Sequence, residues 1–209
     1  MSPSKALAEL ASEEADCRRC PLYRNATQVV AGEGRAKARL MLVGEQPGDK
    51  EDIEGRPFVG PAGRLLDRAL EEAGIDSAKT FITNAVKHFK FQQRGKRRLH
   101  KRPDPGEIER CRMWLDLERQ LVKPGVVVAL GATAARSLLK KSVTIKSVRG
   151  KPLPLEDGGT LFVTVHPSAL LRMPDPDARK AAYREFVKDL KQARSAQSSR
   201  SSAASRKSP

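Results

Sequence analysis

Apolar residues gather in four short runs separated by amphipathic stretches. The runs are 38–43 (ARLMLV), 80–86 (TFITNAV), 126–130 (VVVAL) and 161–165 (LFVTV). Each has strand length and little alternation of apolar with polar residues, the pattern of a strand buried on both faces. Three of them run into chain-turning residues: Gly44, Gly131 and the pair His166-Pro167. Residues 61–73 (PAGRLLDRALEEA) instead follow the helical period, with Pro61 near the start and Gly74 at the end. Helices are likewise predicted at 5–16, at 105–121 with Pro105 in the first turn, at 132–140 and at 176–194, and 87–104 is predicted as a long basic loop. No segment repeats another. Doubly buried strands alternating with helices imply an α/β chain, a three-layer α/β/α sandwich around a central, mainly parallel four-stranded sheet.

Sheets of this kind place ligands outside the carboxyl ends of their strands. The segments there are Gly44-Glu45-Gln46-Pro47-Gly48, Asn84-Ala85-Val86-Lys87-His88, Gly131-Ala132-Thr133-Ala134 and His166-Pro167-Ser168. Taken singly they are ambiguous. GEQPG reads as a tight turn, Asn84 as a strand-end cap, and His166 as the capped end of a strand before proline. GRPFVGPAG (55–63) is a stiff loop in which Phe58 is either core filler or a platform for a flat ligand.

Charge narrows the choice of partner. Lys and Arg number 40 against 25 Asp and Glu, a net charge of +15. Such a field attracts polyanions, nucleic acid first among them. Part of the excess sits at the end of the chain (193–209, ARSAQSSRSSAASRKSP), which carries no acid and reads as a disordered tail. The run Arg94, Lys96, Arg97, Arg98, Lys101 and Arg102 is internal and is not a frayed end. On composition alone it is a solvated, phosphate-binding loop with His100 a bystander. No apolar run approaches bilayer length, and the start lacks a signal-peptide pattern, so a cytoplasmic protein with no membrane partner is expected.

The three cysteines are Cys17, Cys20 and Cys111. An odd number argues against a disulfide framework, and the CxxC of Cys17 and Cys20 is a ligand pair or a redox pair. One further Cys rules out a four-thiolate site within one chain.

The ordered set GEQPG, PFVGPAGRLL, ITNAVKH, CRMWL, VVVALGATAA and TVHPSALLR resembles the family-4 uracil-DNA glycosylases. Two departures resemble the UdgX subgroup of that superfamily. His88 stands where ordinary relatives carry Cys, and Lys96-Arg97-Arg98-Leu99-His100 matches the KRR-hydrophobe-His loop for which the subgroup is known. The resemblance implies the uracil-DNA glycosylase fold over residues 1–194, with a disordered basic tail at 195–209. It also implies a [4Fe-4S] cluster held by Cys17, Cys20, His88 and Cys111, since iron–sulfur centres accept His in place of Cys. From sequence alone a Cys₃His zinc site fits these four residues equally well.

The resemblance further implies a monomer that acts on uracil-containing DNA, preferably single-stranded, and releases uracil. Asn84 would read the pyrimidine edge, Phe58 would stack on the base, and Gln46 and Asp49 would complete the substrate site. His166 would stabilise the departing uracil anion. His100 would attack C1′ and remain attached, with Glu45 orienting it or taking its proton. Lys96, Arg97, Arg98 and Lys101 would meet DNA, one of the two arginines also tying the loop to an acid such as Asp49 or Asp52. The alternatives are a conventional multiple-turnover glycosylase and a noncatalytic sensor of uracil-DNA.

Overall fold

A computed structural model describes residues 1–205. Its elements in chain order are α1 (Pro3–Ala15), β1 (Glu33–Gly34), β2 (Leu40–Gly44), α2 (Asp49–Glu54), α3 (Pro61–Glu72), β3 (Phe81–Asn84), β4 (Phe91–Arg94) and β5 (Arg97–His100). They continue with α4 (Pro105–Val122), β6 (Val126–Leu130), α5 (Ala132–Leu139), α6 (Ile145–Val148), β7 (Leu153–Pro154), β8 (Thr160–Thr164), α7 (Pro167–Leu171) and α8 (Pro176–Ser205).

The main sheet has the order β1-β3-β2-β6-β8-β7. The four strands read from the sequence form its parallel centre, β3-β2-β6-β8. The expected four strands become six because β1 and β7 add antiparallel edges of two residues each, too short to carry any periodic pattern. Successive side chains of a strand point to opposite faces, and both faces here are apolar. Leu40, Leu42, Val126, Val128 and Phe162 pack with Leu66 and Leu70 of α3 and Phe186 and Leu190 of α8. Met41, Val43, Val127, Ala129, Leu161 and Val163 face the other way, onto Leu115 of α4 and Leu138 of α5. Each buried Leu or Val contributes roughly 1.5–3 kcal/mol over an exposed one, so the layering follows from the four runs.

The segment expected to be a loop, 87–104, contains the hairpin β4–β5. Its strands pair Phe91 with His100 and Arg94 with Arg97, and Gly95 takes the positive φ of 58° that a two-residue connection needs. The ribbon lies apart from the main sheet, and most of its residues are exposed. No apolar face was required of it, so no alternation marked it. Helix α8 runs on to Ser205, beyond residue 194; the stretch contains neither Gly nor Pro to stop it. The final residues of the expected tail, 206–209, lie outside the described residues. Among the described residues no helix is long and apolar enough to cross a membrane.

Candidate active site

The carboxyl ends of β2 and β3 are laced together. Ala85 N–H donates to Gly44 O and Val86 N–H to Glu45 O, each at 3.0 Å. A side chain at Gly44 would collide with Asn84 Oδ1 and the Phe58 ring, so glycine lets both close over the strand end. Phe58 holds φ at 58°, a left-handed conformation that bulky residues avoid and that concentrates at functional sites. Gly63 admits this bend, since a Cβ there would strike the Phe58 carbonyl.

Around this edge lies a pocket of about 350 Å³, lined by Gln46, Asp49, Phe58, Asn84, His100 and His166 among others. The structure therefore brings six of the expected residues together. Asn84 is 2% exposed, and its Oδ1 has no hydrogen-bond partner. A buried polar atom left unpaired costs about 1–3 kcal/mol and calls for a reason.

His166 caps α7. Its Nδ1 accepts from Ser168 N–H at 3.2 Å and lies 2.8 Å from Ser168 Oγ. With Nδ1 accepting from the backbone, the proton of a neutral ring belongs on Nε2. Burial, reinforced by repulsion from Arg172 and His100, pushes the His166 pKa down to about 4, so the ring is neutral near pH 7. Phe58 stacks beside it with centroids 5.9 Å apart.

His100 ends β5 and is half-exposed, at 47%. Desolvation lowers its pKa against the opposing pull of Glu45, which favours the neutral imidazole. Its Nε2 lies 3.5 Å from Glu45 Oε1. The other carboxylate oxygen of Glu45 accepts from Thr133 Oγ1 at 2.5 Å and lies 3.6 Å from Arg102 Nε.

Side chains from both sides of the joint seat the hairpin, Arg98 and Gln46 among them. Arg98 Nε and Nη1 meet Asp49 Oδ1 and Asp52 Oδ2, each at 2.5 Å. Asp52 is fully buried and also accepts from Thr27 N–H and, at 2.6 Å, from Thr27 Oγ1. The Arg98 guanidinium lies over the Phe89 and Phe91 rings, 5.5 and 5.2 Å from their centroids. Of the two arginines considered, Arg98 is thus the anchor. The amide of Gln46 borders the pocket but binds hairpin backbone at both ends: Nε2 donates to Lys90 O and Lys101 O, and Oε1 accepts from Lys90 N–H. Asp49 likewise borders the pocket with its carboxylate on Arg98. Lys96, Arg97 and Lys101 are exposed on the hairpin, outside the pocket lining.

Glu51, Ser168 and Arg172 also line the pocket and were not singled out by sequence. Ser168 and Thr133 lay within the quoted strand-end segments. Glu51, nearly buried with Oε1 on Gly60 N–H at 2.8 Å, had no signal, because α2 is too short to display a face.

Cys17, Cys20 and Cys111 are buried together with Trp114 between α1 and α4. Trp114 Nε1–H points at Cys17 Sγ (3.1 Å) and Lys87 N–H at Cys111 Sγ (3.2 Å). Burial pushes the Cys111 thiol up to about 12. His88 is buried, its Nδ1 lacks a partner, and burial lowers its pKa against the pull of Asp52. Among the described residues no three such side chains converge as around a single ion. A four-iron cluster holds each ligand at a separate corner. Buried sulfurs met by N–H donors and an orphaned imidazole nitrogen form a donor set that such a cluster accepts.

The uracil DNA glycosylase superfamily model matches residues 31–191. The chain is 40% identical over 184 residues to the type-4 uracil-DNA glycosylase of Thermotoga maritima, covering 87% of this chain and 92% of that one. It is 36% identical over 190 residues to the type-4 enzyme of Sulfurisphaera tokodaii, covering 87% and 82%. With the type-4 enzyme of Pyrobaculum aerophilum it shares 37% identity over 182 residues, covering 84% and 86%. Its sheet, its strand-end pocket and these likenesses agree: the chain belongs to the uracil DNA glycosylase superfamily.

Proposed function

We propose that this chain excises uracil from DNA, preferring single strands, and that His100 then captures the abasic sugar as a covalent adduct of the UdgX type. The observation that carries the reading is the convergence of His100, Asn84 and His166 on one strand-end pocket, with Glu45 beside His100. A base buried in a duplex is out of reach of such a pocket, so it must be flipped or already unpaired. The unpaired Oδ1 of Asn84 suits the N3–H of uracil, and its NH₂ suits O4; cytosine offers the opposite pattern. Phe58 supplies a face for stacking.

When the C1′–N1 bond breaks, its electron pair stays on uracil. The Nε2–H of neutral His166 donates to the developing anion, which is stabilisation of charge that exists only as the bond opens. The sugar is left electron-deficient at C1′. The unprotonated nitrogen of His100 donates its lone pair there, forming a C1′–N bond, and the other ring nitrogen then loses its proton to Glu45 or through it to solvent. The product is a neutral N-glycoside with a poor leaving group. Cys17, Cys20, His88 and Cys111 would hold a [4Fe-4S] cluster that ties α1 and α4 together as a structural centre. A brown protein with visible absorbance that iron chelation bleaches tests this; a colourless protein with bound zinc refutes it.

Similarity to type-4 enzymes favours a second reading, conventional multiple turnover. Incubation with a uracil-containing single-stranded oligonucleotide, followed by a denaturing gel and intact-mass measurement, separates the two. The covalent reading expects a band that survives SDS and heat, its loss in His100→Ala, and continued base release in that variant. Free abasic DNA with an unmodified polypeptide means conventional turnover, and an unaltered oligonucleotide leaves only a sensor.

A further inference from the structure

We propose that Lys90 is a positioning residue that locks the base of the hairpin to helix α4, and so decides whether His100 or water captures the sugar. The inference rests on the covalent reading above and adds what holds its nucleophile in place.

Lys90 is the junction of three elements. Its backbone N–H donates to Gln46 Oε1, and its carbonyl accepts from Gln46 Nε2 and, at 2.9 Å, from Lys101 N–H. Both ends of the hairpin are thereby joined to the residue that follows Glu45. The side chain turns the other way. Its Nζ lies 2.7 Å from Glu107 Oε2 and 3.2 Å from Asp104 Oδ2, the two residues that form the capping box of α4. Glu107 is buried, and Lys90 is only 27% exposed, so this is a shielded, charge-assisted contact. One residue before Lys90, the ring of Phe89 stacks on Phe91 and lies 6.1 Å from the ring of His100.

The geometry matters because, among the described residues, the hairpin shares no strand pairing with the main sheet. Arg98 fixes it to α2 near its middle, and Lys90 fixes its base to α4. Without Lys90 Nζ the base can pivot about the Arg98 anchor, and His100, at the end of β5, moves with it. Chemistry at a reacting centre is steep in distance: a misplacement of about 1 Å costs on the order of a hundredfold. Water needs no such placement. Departure of uracil depends on Asn84, Phe58 and His166, none of which lies on the hairpin. Loosening it should therefore divert the sugar from His100 to water more than it slows base release.

The test uses the full chain and a uracil-containing single-stranded oligonucleotide under single-turnover conditions. Uracil release is followed by chromatography and adduct by intact mass, giving the ratio of adduct to free abasic DNA. Lys90→Met is expected to lower this ratio by about tenfold or more, and Lys90→Arg to restore it. Glu107→Gln keeps the capping box but removes the buried one of the two charges facing Nζ, and it should lower the ratio in the same direction. If Lys90→Met does not fold, Glu107→Gln decides. Ratios unchanged in these variants, or adduct and uracil release falling in equal proportion, would overturn the inference while a wild-type adduct leaves the covalent reading standing. Absence of adduct in the wild type would overturn both.

Discussion

Replacing Arg98 with Met should uncouple capture of the sugar from release of the base. Arg98 bonds a fully buried carboxylate at one end and a 53% exposed one at the other. Removing one partner of a buried pair costs roughly 3–5 kcal/mol when the remaining charge is left uncompensated. Thr27 still donates its N–H and hydroxyl to Asp52, which places that half near the lower end of the range. The exposed half, with Asp49, adds no more than about 1 kcal/mol. The sum of about 3–4 kcal/mol weakens docking of the hairpin by a few hundredfold, since about 1.4 kcal/mol is a factor of ten. Two readouts follow: single-turnover adduct formation by intact mass, and tryptic cleavage within 94–101, where the basic residues become cuttable once the ribbon lifts. Adduct yield should fall more steeply than uracil release, and cleavage should quicken. A variant with wild-type adduct kinetics and wild-type trypsin resistance would refute the assignment of Arg98 as the anchor.

Other expectations follow from the same geometry. His166→Ala should slow uracil release by about 10²–10³-fold, as loss of one donor to a developing anion does elsewhere; loss of the cross-link alone, at full release rate, would contradict the division of roles. Protonation of His166 is penalised in the folded state, its pKa being about 4 against an ordinary 6.5. Between those values the unfolded chain binds the extra proton, so stability should decline as pH falls from about 6.5 to 4, and denaturant titrations across that window should lose this slope in His166→Gln. Cys111→Ser should bleach any visible absorbance and lower the melting temperature together, because the proposed cluster would tie α1 to α4; an unchanged melt would remove the structural role from that centre.

What the sequence disclosed, and what it hid, has a common physical origin. The four central strands were legible because burial on both faces demands unbroken apolar runs such as VVVAL, and Leu40 to Val43 supply both layers at once. The strand-end residues Asn84 and His166 were legible because the topology gathers such ends on one edge. The hairpin was not, since a ribbon held by Arg98, Gln46 and Lys90 needs no apolar alternation. Contacts such as Thr133 with Glu45, 88 residues apart, exist only after folding. Glu51 was hidden for a related reason: α2 spans six residues, too few for a period. Gln46 and Asp49 were expected at the base, and they border its pocket with their polar groups turned onto the hairpin.

Because His100 rides on a ribbon that shares no ladder with the central strands, the trapping proposed for it would be an attachment to the fold. Its seat consists of one amide and two acids on the segment between β2 and α3, plus the acidic first turn of α4. Transplanting residues 90–101 into a scaffold without those seats would yield a floppy, inert arm, whereas installing the seats first gives protein engineers a way to convert a releasing enzyme into a permanent marker of its own substrate.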